Sequence, residues 1–325
     1  MSVQDAQIHI GRETTYGTPV TPTRSVEGLG DGHKRKMAYL ESNGMRPGRQ
    51  AVRSDRRRAI NMGAEGELEV NPMNKGLGML LRAMLGSSGI AQVASTTAYL
   101  QTHTTTGDGP VGESLTVQLG RPMGSSFGTV QPFTYHGGKV TEWTLTQDLE
   151  DLLKLKLSLD FEDEDKTTSL LGTPVYPANT TPFGWHECAV TIDGNATPVT
   201  SFEVSGKNGL KTDRRQLGSV LKREPLRSEL AEYEGKIAAD FESITAYDNF
   251  VSGAIVPVVA KWTGGLIEAG HNYELMITLA AVQFTGETPE VSTDDLPTQP
   301  MPFMVLHDGT NPAVKIEYKS TDTAY

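Results

Sequence analysis

Cysteine is nearly absent from this chain: among 325 residues there is one, Cys188. A lone cysteine cannot close an internal disulfide, so the sequence reads as a protein made and folded in a reducing cytoplasm. Nor is there an apolar run approaching the ~18–20 residues that a membrane-spanning helix needs. Residues Met1 to Ile10 lack a charged segment leading into an apolar one, so no secretion signal is expected, and the chain reads as soluble and intracellular when made. Hydrophobic residues make up 37% and aromatics 7%, which is little for one large core and suits thin layers that bury surface against neighbouring subunits. Positive charge is also scarce. With 29 Lys and Arg against 40 Asp and Glu, the formal net charge is −11, which excludes a surface that clings generally to nucleic acid. A surface that DNA merely slides past is not excluded.

Catalytic and cofactor signatures are missing as well. The sequence has no Gly-x-x-x-x-Gly-Lys-Ser/Thr run, no His-Glu-x-x-His and no paired Cys-x-x-Cys. The seven histidines never fall at metal-ligand spacing. In the one tight group, His186-Glu187-Cys188, consecutive side chains of a strand alternate in direction and cannot all reach one ion. The acidic run Glu162 to Asp165 lacks the spacing and central glycine of a calcium loop, so it reads as a solvated strand end. No enzyme, cofactor or metal is expected.

What the chain does have is 34 Gly, 18 Pro and a unit that occurs twice. A strand, Glu65-Gly66-Glu67-Leu68-Glu69-Val70, leads into a helix predicted over Met73 to Leu85, with Asn74 as its N-cap and Gly86 as its stop. Its apolar stripe is Leu77, Leu80, Leu81 and Met84. Half a chain later Glu234-Gly235-Lys236-Ile237-Ala238-Ala239-Asp240-Phe241 leads into a second helix over Ser243 to Val251, with a stripe of Ile244, Tyr247, Phe250 and Val251. Internal repeats set architecture before local readings do.

Alternating strands follow each helix. The cleanest runs from Leu153 to Phe161, with Leu153, Leu155, Leu157, Leu159 and Phe161 on one side and Lys154, Lys156, Ser158 and Asp160 on the other. Phe133–Tyr135 and Val140–Thr146 read as two strands turned by Gly137-Gly138, and the prolines at 289, 297, 300 and 302 read as a loop. The charged stretch Lys211 to Glu224 stands where an Arg-rich stretch stood in the first half, and Asp213-Arg214-Arg215 echoes Asp55-Arg56-Arg57. The expectation is an extended N-terminal arm over 1–30, then two all-β units over 31–170 and 171–325. Each is a sandwich or small barrel with one short flanking α-helix.

Two charged groups carry functional expectations. Arg49, Arg53, Arg56, Arg57 and Arg58 suit phosphate contact, but no aromatic is interleaved and the rest of the chain is acidic. Contact with the carboxylates of a neighbouring subunit is the favoured reading. Glu67, Glu69 and Asp240, on the polar sides of the strands before the helices, are candidates to line a channel.

The opening Ile10-Gly11-Arg12-Glu13-Thr14-Thr15-Tyr16-Gly17-Thr18-Pro19 resembles the start of tail tube proteins of long-tailed bacteriophages and related prophages. Gly120-Arg121-Pro122, Gln131-Pro132-Phe133-Thr134-Tyr135 with Gly138-Lys139-Val140, and Asn208-Gly209-Leu210-Lys211-Thr212-Asp213-Arg214 resemble it too, as do Gly286-Glu287-Thr288-Pro289 and Gln299-Pro300-Met301-Pro302-Phe303. The resemblance is collinear over nearly the whole chain. It implies β-sandwiches whose inner sheets join between subunits around a channel, with rings stacked into a tube through which the genome leaves the capsid. It also implies a ring of three chains with pseudo-sixfold symmetry if the duplication is real, and of six otherwise. Further implied partners are tail tip, terminator and tape measure proteins, with DNA passing transiently through the lumen and no membrane. Tyr16, within the matching opening, joins the arginines as a candidate subunit contact. The competing classes are a carbohydrate-binding or adhesin-like β-sandwich, which would show an exposed aromatic platform, and a β-rich hydrolase, which would need convergent carboxylates.

Overall fold

The computed structural model describes residues 5–48, 50–123, 129–241, 244–268, 270–286 and 298–325. Twenty strands and two α-helices lie within them, so the chain is mainly β, with one short helix in each half. The first half contains β1 (Gln7–Glu13), β2 (Arg24–Val26), β3 (Lys34–Glu41), β4 (Arg57–Val70), α1 (Gly78–Leu85), β5 (Gly86–Gln92), β6 (Tyr99–Thr105), β7 (Ser114–Pro122), β8 (Val130–Asp148), β9 (Lys154–Phe161) and β10 (Asp163–Asp165). The second contains β11 (Cys188–Ile192), β12 (Asn195–Thr197), β13 (Ser201–Lys207), the small pair β14 (Leu210–Lys211) and β15 (Leu226–Arg227), β16 (Glu232–Asp240), α2 (Thr245–Ser252), β17 (Ile255–Glu268), β18 (His271–Phe284), β19 (Thr298–Val305) and β20 (Val314–Ser320).

Strand pairing repeats itself. In the first half β2–β1–β7–β8–β10 form one layer and β3–β4–β9–β8 the other, with β8 belonging to both. In the second half β12–β11–β17–β18–β20 and β13–β16–β19–β18 follow the same plan. The registers agree residue by residue: Glu65 opposes Asp160 as Glu234 opposes Met304, and Leu68 opposes Leu157 as Ile237 opposes Met301. Two hairpins break the repeat. β5–β6 follows α1 and adds to β20 of the other half, and β14–β15 sits in the connection from β13 to β16.

The two halves share one sheet. β8 and β13 pair antiparallel over seven residues, from Glu142↔Lys207 to Asp148↔Ser201, so β4–β9–β8–β13–β16–β19 is a continuous six-stranded sheet. The pairing lies across the expected boundary near residue 170, and a side-chain contact reinforces it. Trp262 on β17 is fully buried, packs edge-on to Phe202 at 6.1 Å, and donates to Gln147 Oε1 at 3.0 Å.

The alternation read along Leu153 to Phe161 is realised, with all five apolar side chains buried. Each contributes about 1.5–3 kcal/mol by leaving water. Residues Gln7–Glu13, within the expected arm, form β1, paired with β7 along its whole length, with Ile8 and Ile10 in the core. The Arg12–Gly17 motif has a local cause. The buried Glu13 carboxylate accepts from the N–H of Gly17 and Gly137 and from the hydroxyls of Ser114 and Thr116, while Arg12 and Arg82 both hold Glu113.

Four local expectations are corrected. Helix α1 starts at Gly78, not Met73, and Leu77 at its N-cap makes no side-chain cap. Asn74 accepts instead from the Thr181 N–H at 2.9 Å, holding the inter-half connection against the first half, while Gly86 ends the helix in the left-handed region as expected. Gly137 and Gly138 do not turn the chain, because β8 is one strand of 19 residues passing from layer to layer. Gly137 takes φ +67°, and a Cβ on Gly138 would press on the Phe161 ring and the Leu115 carbonyl. Pro300 and Pro302 lie inside β19 rather than in a loop. The Pro302 carbonyl accepts from Thr285 N on the side away from β16, so both prolines, two residues apart, turn their missing N–H to the outer edge. Pro289 and Pro297 fall outside the described residues. Finally, the stripe of α2 is not a core stripe: Ile244 and Val251 are 60% and 62% exposed.

Candidate assembly surface

Residues directly opposed in antiparallel strands share a face, so the registers place every side chain of the six-stranded sheet. One face is the core, with Leu68, Leu157, Trp143, Val204, Ile237 and Met301. The other is polar. It carries Glu65, Glu67, Glu69, Glu142, Asp148, Glu203, Glu232, Glu234 and Asp240 against Lys154, Lys156, Lys207 and Lys236. Glu67, Glu69 and Asp240, from the two halves, therefore stand on one continuous surface. Lys156 meets Glu67 at 2.9 Å, and Lys34 and Lys36 both reach Glu65. These pairs are largely exposed and individually contribute little. Their effect is on the field: carboxylates outnumber lysines on the six strands.

At one end this sheet continues from β4 into β3, and at the other it reaches the first residues of β19. Among the described residues β3 pairs only with β4, and residues 298–301 of β19 pair only with β16, while the Pro302 carbonyl accepts from Thr285 N. An open edge presents unpaired N–H and C=O groups and is a template for another chain unless it is blocked.

The arginine stretch sits at the end of the β3–β4 hairpin, and every described residue from Ser42 to Ala59 is exposed. Arg53 makes a bidentate pair with Asp55 at 2.8 Å. Arg57 pairs with Glu41 at 3.0 Å and lies over the Tyr39 ring. Arg56 and Arg58 extend the same basic end, while Arg49 lies outside the described residues. Tyr16 is elsewhere. It is half-buried against its own chain, over Gly137 and 6.0 Å from Lys139, and burial, with Glu162 close by, raises its hydroxyl pKa.

Sequence reasoning missed the strap between β13 and β16, residues 208–231, which lies on the first half. Lys222 Nζ meets Asp160 at 2.5 Å, and Glu224 meets the buried Lys139 at 2.6 Å; Lys139 also donates to the Pro110 carbonyl. Arg227 donates to the carbonyls of Thr106, Gly107 and Asn208, and Asn208 donates to those of Met84 and Val140. Burial raises the Asp160 pKa despite Lys222, and burial lowers that of Lys139 despite Glu224. Burial also opposes the charge of Glu224, but the hydrogen bonds from Lys139 and the Gly112 N–H prevail and hold its carboxyl below the usual range. Alternation put Asp160 on the wet face, where Lys222 of the strap meets it and it is buried. Its partner lies 62 residues away, with no local signal to announce it.

Among the described residues no three His, Cys, Asp or Glu side chains gather closely enough to hold a metal ion, and no helix is long and apolar enough to cross a membrane. A family model described as phage tail tube protein matches residues 3–305. No curated protein matches the chain.

Proposed function

Since the chain belongs to the phage tail tube protein family, and so has a structural role in a phage tail, we propose that its copies join edge to edge into rings that stack around a DNA-conducting channel. The observation that carries the reading is the β8–β13 pairing. Within one chain it fuses the sheets of two like units through antiparallel strand edges. The same joint between chains would use the outer edge of β3 on one copy and the β18–β19 side of the next. Three chains would then supply six like units, giving pseudo-sixfold symmetry from three copies of the gene product where single units would need six.

The polar face of the continuous sheet would line the channel. Its carboxylates repel phosphates over roughly 8–10 Å, a Debye length at physiological salt, so DNA passes without adhering. The buried face keeps each unit rigid whether or not DNA is present. In this reading Glu67, Glu69 and Asp240 are lumen residues, and the basic hairpin end contacts other subunits. Tail tip, terminator and tape measure proteins meet the tube at its ends and within it. Synthesis takes place in the host cytoplasm before incorporation into the virion tail. Electron microscopy of the purified chain tests the reading, with rings or tubes of threefold composition expected and persistent single particles refuting it.

A further inference from the structure

The strap over residues 208–231 connects the first two strands of the second unit's half-sheet, β13 and β16, and docks across the joint onto the first unit. By the repeat, the connection from β3 to β4 is its counterpart, and in this chain every described residue of it is exposed. The docking site also has a counterpart. Asp160 corresponds to Met304, Lys139 to Gln283, and Val140 to Phe284, because the paired registers superpose. Met84, whose carbonyl receives Asn208, lies two residues before the left-handed Gly86 as Val251 lies two before the left-handed Gly253.

The two sites differ in one respect. Under the strap Asp160, which Lys222 meets, is 8% exposed, whereas its counterpart Met304 is 50% exposed and Val251, at the end of α2, is 62% exposed. Ile255, which opposes Gln283, is 58% exposed. At the Asp160/Met304 position the repeat is covered where the strap reaches it and exposed in the other half. The exposed hairpin end brings matching chemistry, with apolar Met45 and Val52 exposed beside Arg53, Arg56, Arg57 and Arg58, while Glu234 stands opposite Met304.

We infer that the β3–β4 hairpin end of one copy lies as a strap over the Val251–Ile255–Met304 patch of the next copy in the same ring, repeating between chains the clasp that residues 208–231 make within one. This rests on the edge-to-edge reading above and adds the occupant and direction of the arm, which runs sideways within a ring and not from ring to ring.

The test is crosslinking in assembled tubes. In a Cys188→Ser background, M45C and M304C are introduced together, the protein is assembled, and a flexible bis-maleimide is added. Tubes that lose the monomer band to a covalent ladder ending at three chains support the inference. Tubes with no crosslink, or with a ladder running on past three, overturn the arm's placement and leave the tube intact. If unmodified protein forms no polymer, the assembly reading falls and the arm's placement with it. If only the double variant fails to assemble, peroxide footprinting of the unmodified protein decides. Met304 and Met45 oxidising many-fold more slowly in tubes than in the free chain support the clasp, and unchanged rates overturn it.

Discussion

Lys222→Met is the sharpest probe of the strap. The substitution keeps the volume of the side chain but removes the cation that meets Asp160 at 2.5 Å. It leaves a carboxylate only 8% exposed, one of whose oxygens already lacks a partner. Breaking a buried pair from one side costs about 3–5 kcal/mol. The lower figure suits Asp160, whose pKa is already raised by burial and which can therefore take up a proton. At roughly 2 °C per kcal/mol for a chain of this size, the midpoint of thermal unfolding falls by about 6 °C at pH 7.5. The sign with pH follows. A carboxyl whose folded pKa lies above its unfolded value costs stability above that pKa, and the cost is relieved as pH falls through it. The deficit of Lys222→Met thus shrinks at pH 4.5, and Asp160→Asn in the same chain restores most of the loss at pH 7.5. Circular dichroism melts of the free chain at both pH values give the answer. A deficit equal at both, or unrelieved by Asp160→Asn, would show that the charge pair does not hold the strap.

Three further outcomes are expected. His103 is fully buried, bonded to Ser88 through Nδ1, and burial beside Arg82 lowers its pKa to about 3; since the unfolded chain protonates it near 6.5, stability should fall by up to about 1.4 kcal/mol per unit as pH drops from 6.5 toward 3, and His103→Gln should flatten that slope in urea titrations. Gly137→Ala forces a side chain to φ +67° and into the Glu162 Cβ; at least about 1–2 kcal/mol should be lost, seen as a lower urea midpoint, and an unchanged midpoint would contradict the account of β8 as one strand bent through a glycine. Reversing charge with Glu67→Lys, Glu69→Lys and Asp240→Lys together should leave tube length normal in micrographs but slow DNA release from virions, and normal release kinetics would remove these residues from the channel.

Much of this was legible because it is periodic. The alternation from Leu153 to Phe161, the paired Glu-Gly strands and the Gly86 stop are local patterns, and they yielded the β class, the helices and the duplication. The echo between the Arg-rich stretch and Lys211–Glu224 was legible too, because both are connections at the same place in the repeat. What escaped was set by distance. That Gly137 and Gly138 bend one strand rather than end it depends on Phe161 and Leu115 closing in from other strands. That Pro300 and Pro302 are tolerated in β19 depends on which side β16 lies. Asn74 looked like a helix cap and became a brace for Thr181. The clasp between halves joins residues 62 and 85 positions apart, and nothing short-range marks it.

The most direct measurement is a cryo-EM map of the assembled polymer at a resolution that separates strands. The expected result is a ring of three chains in which β3 is hydrogen-bonded along its outer edge to the neighbouring chain, reproducing the β8–β13 joint at each boundary, with Glu67, Glu69 and Asp240 turned to the bore. A ring in which β3 keeps a bare edge, with chains touching only through side chains, would contradict the account.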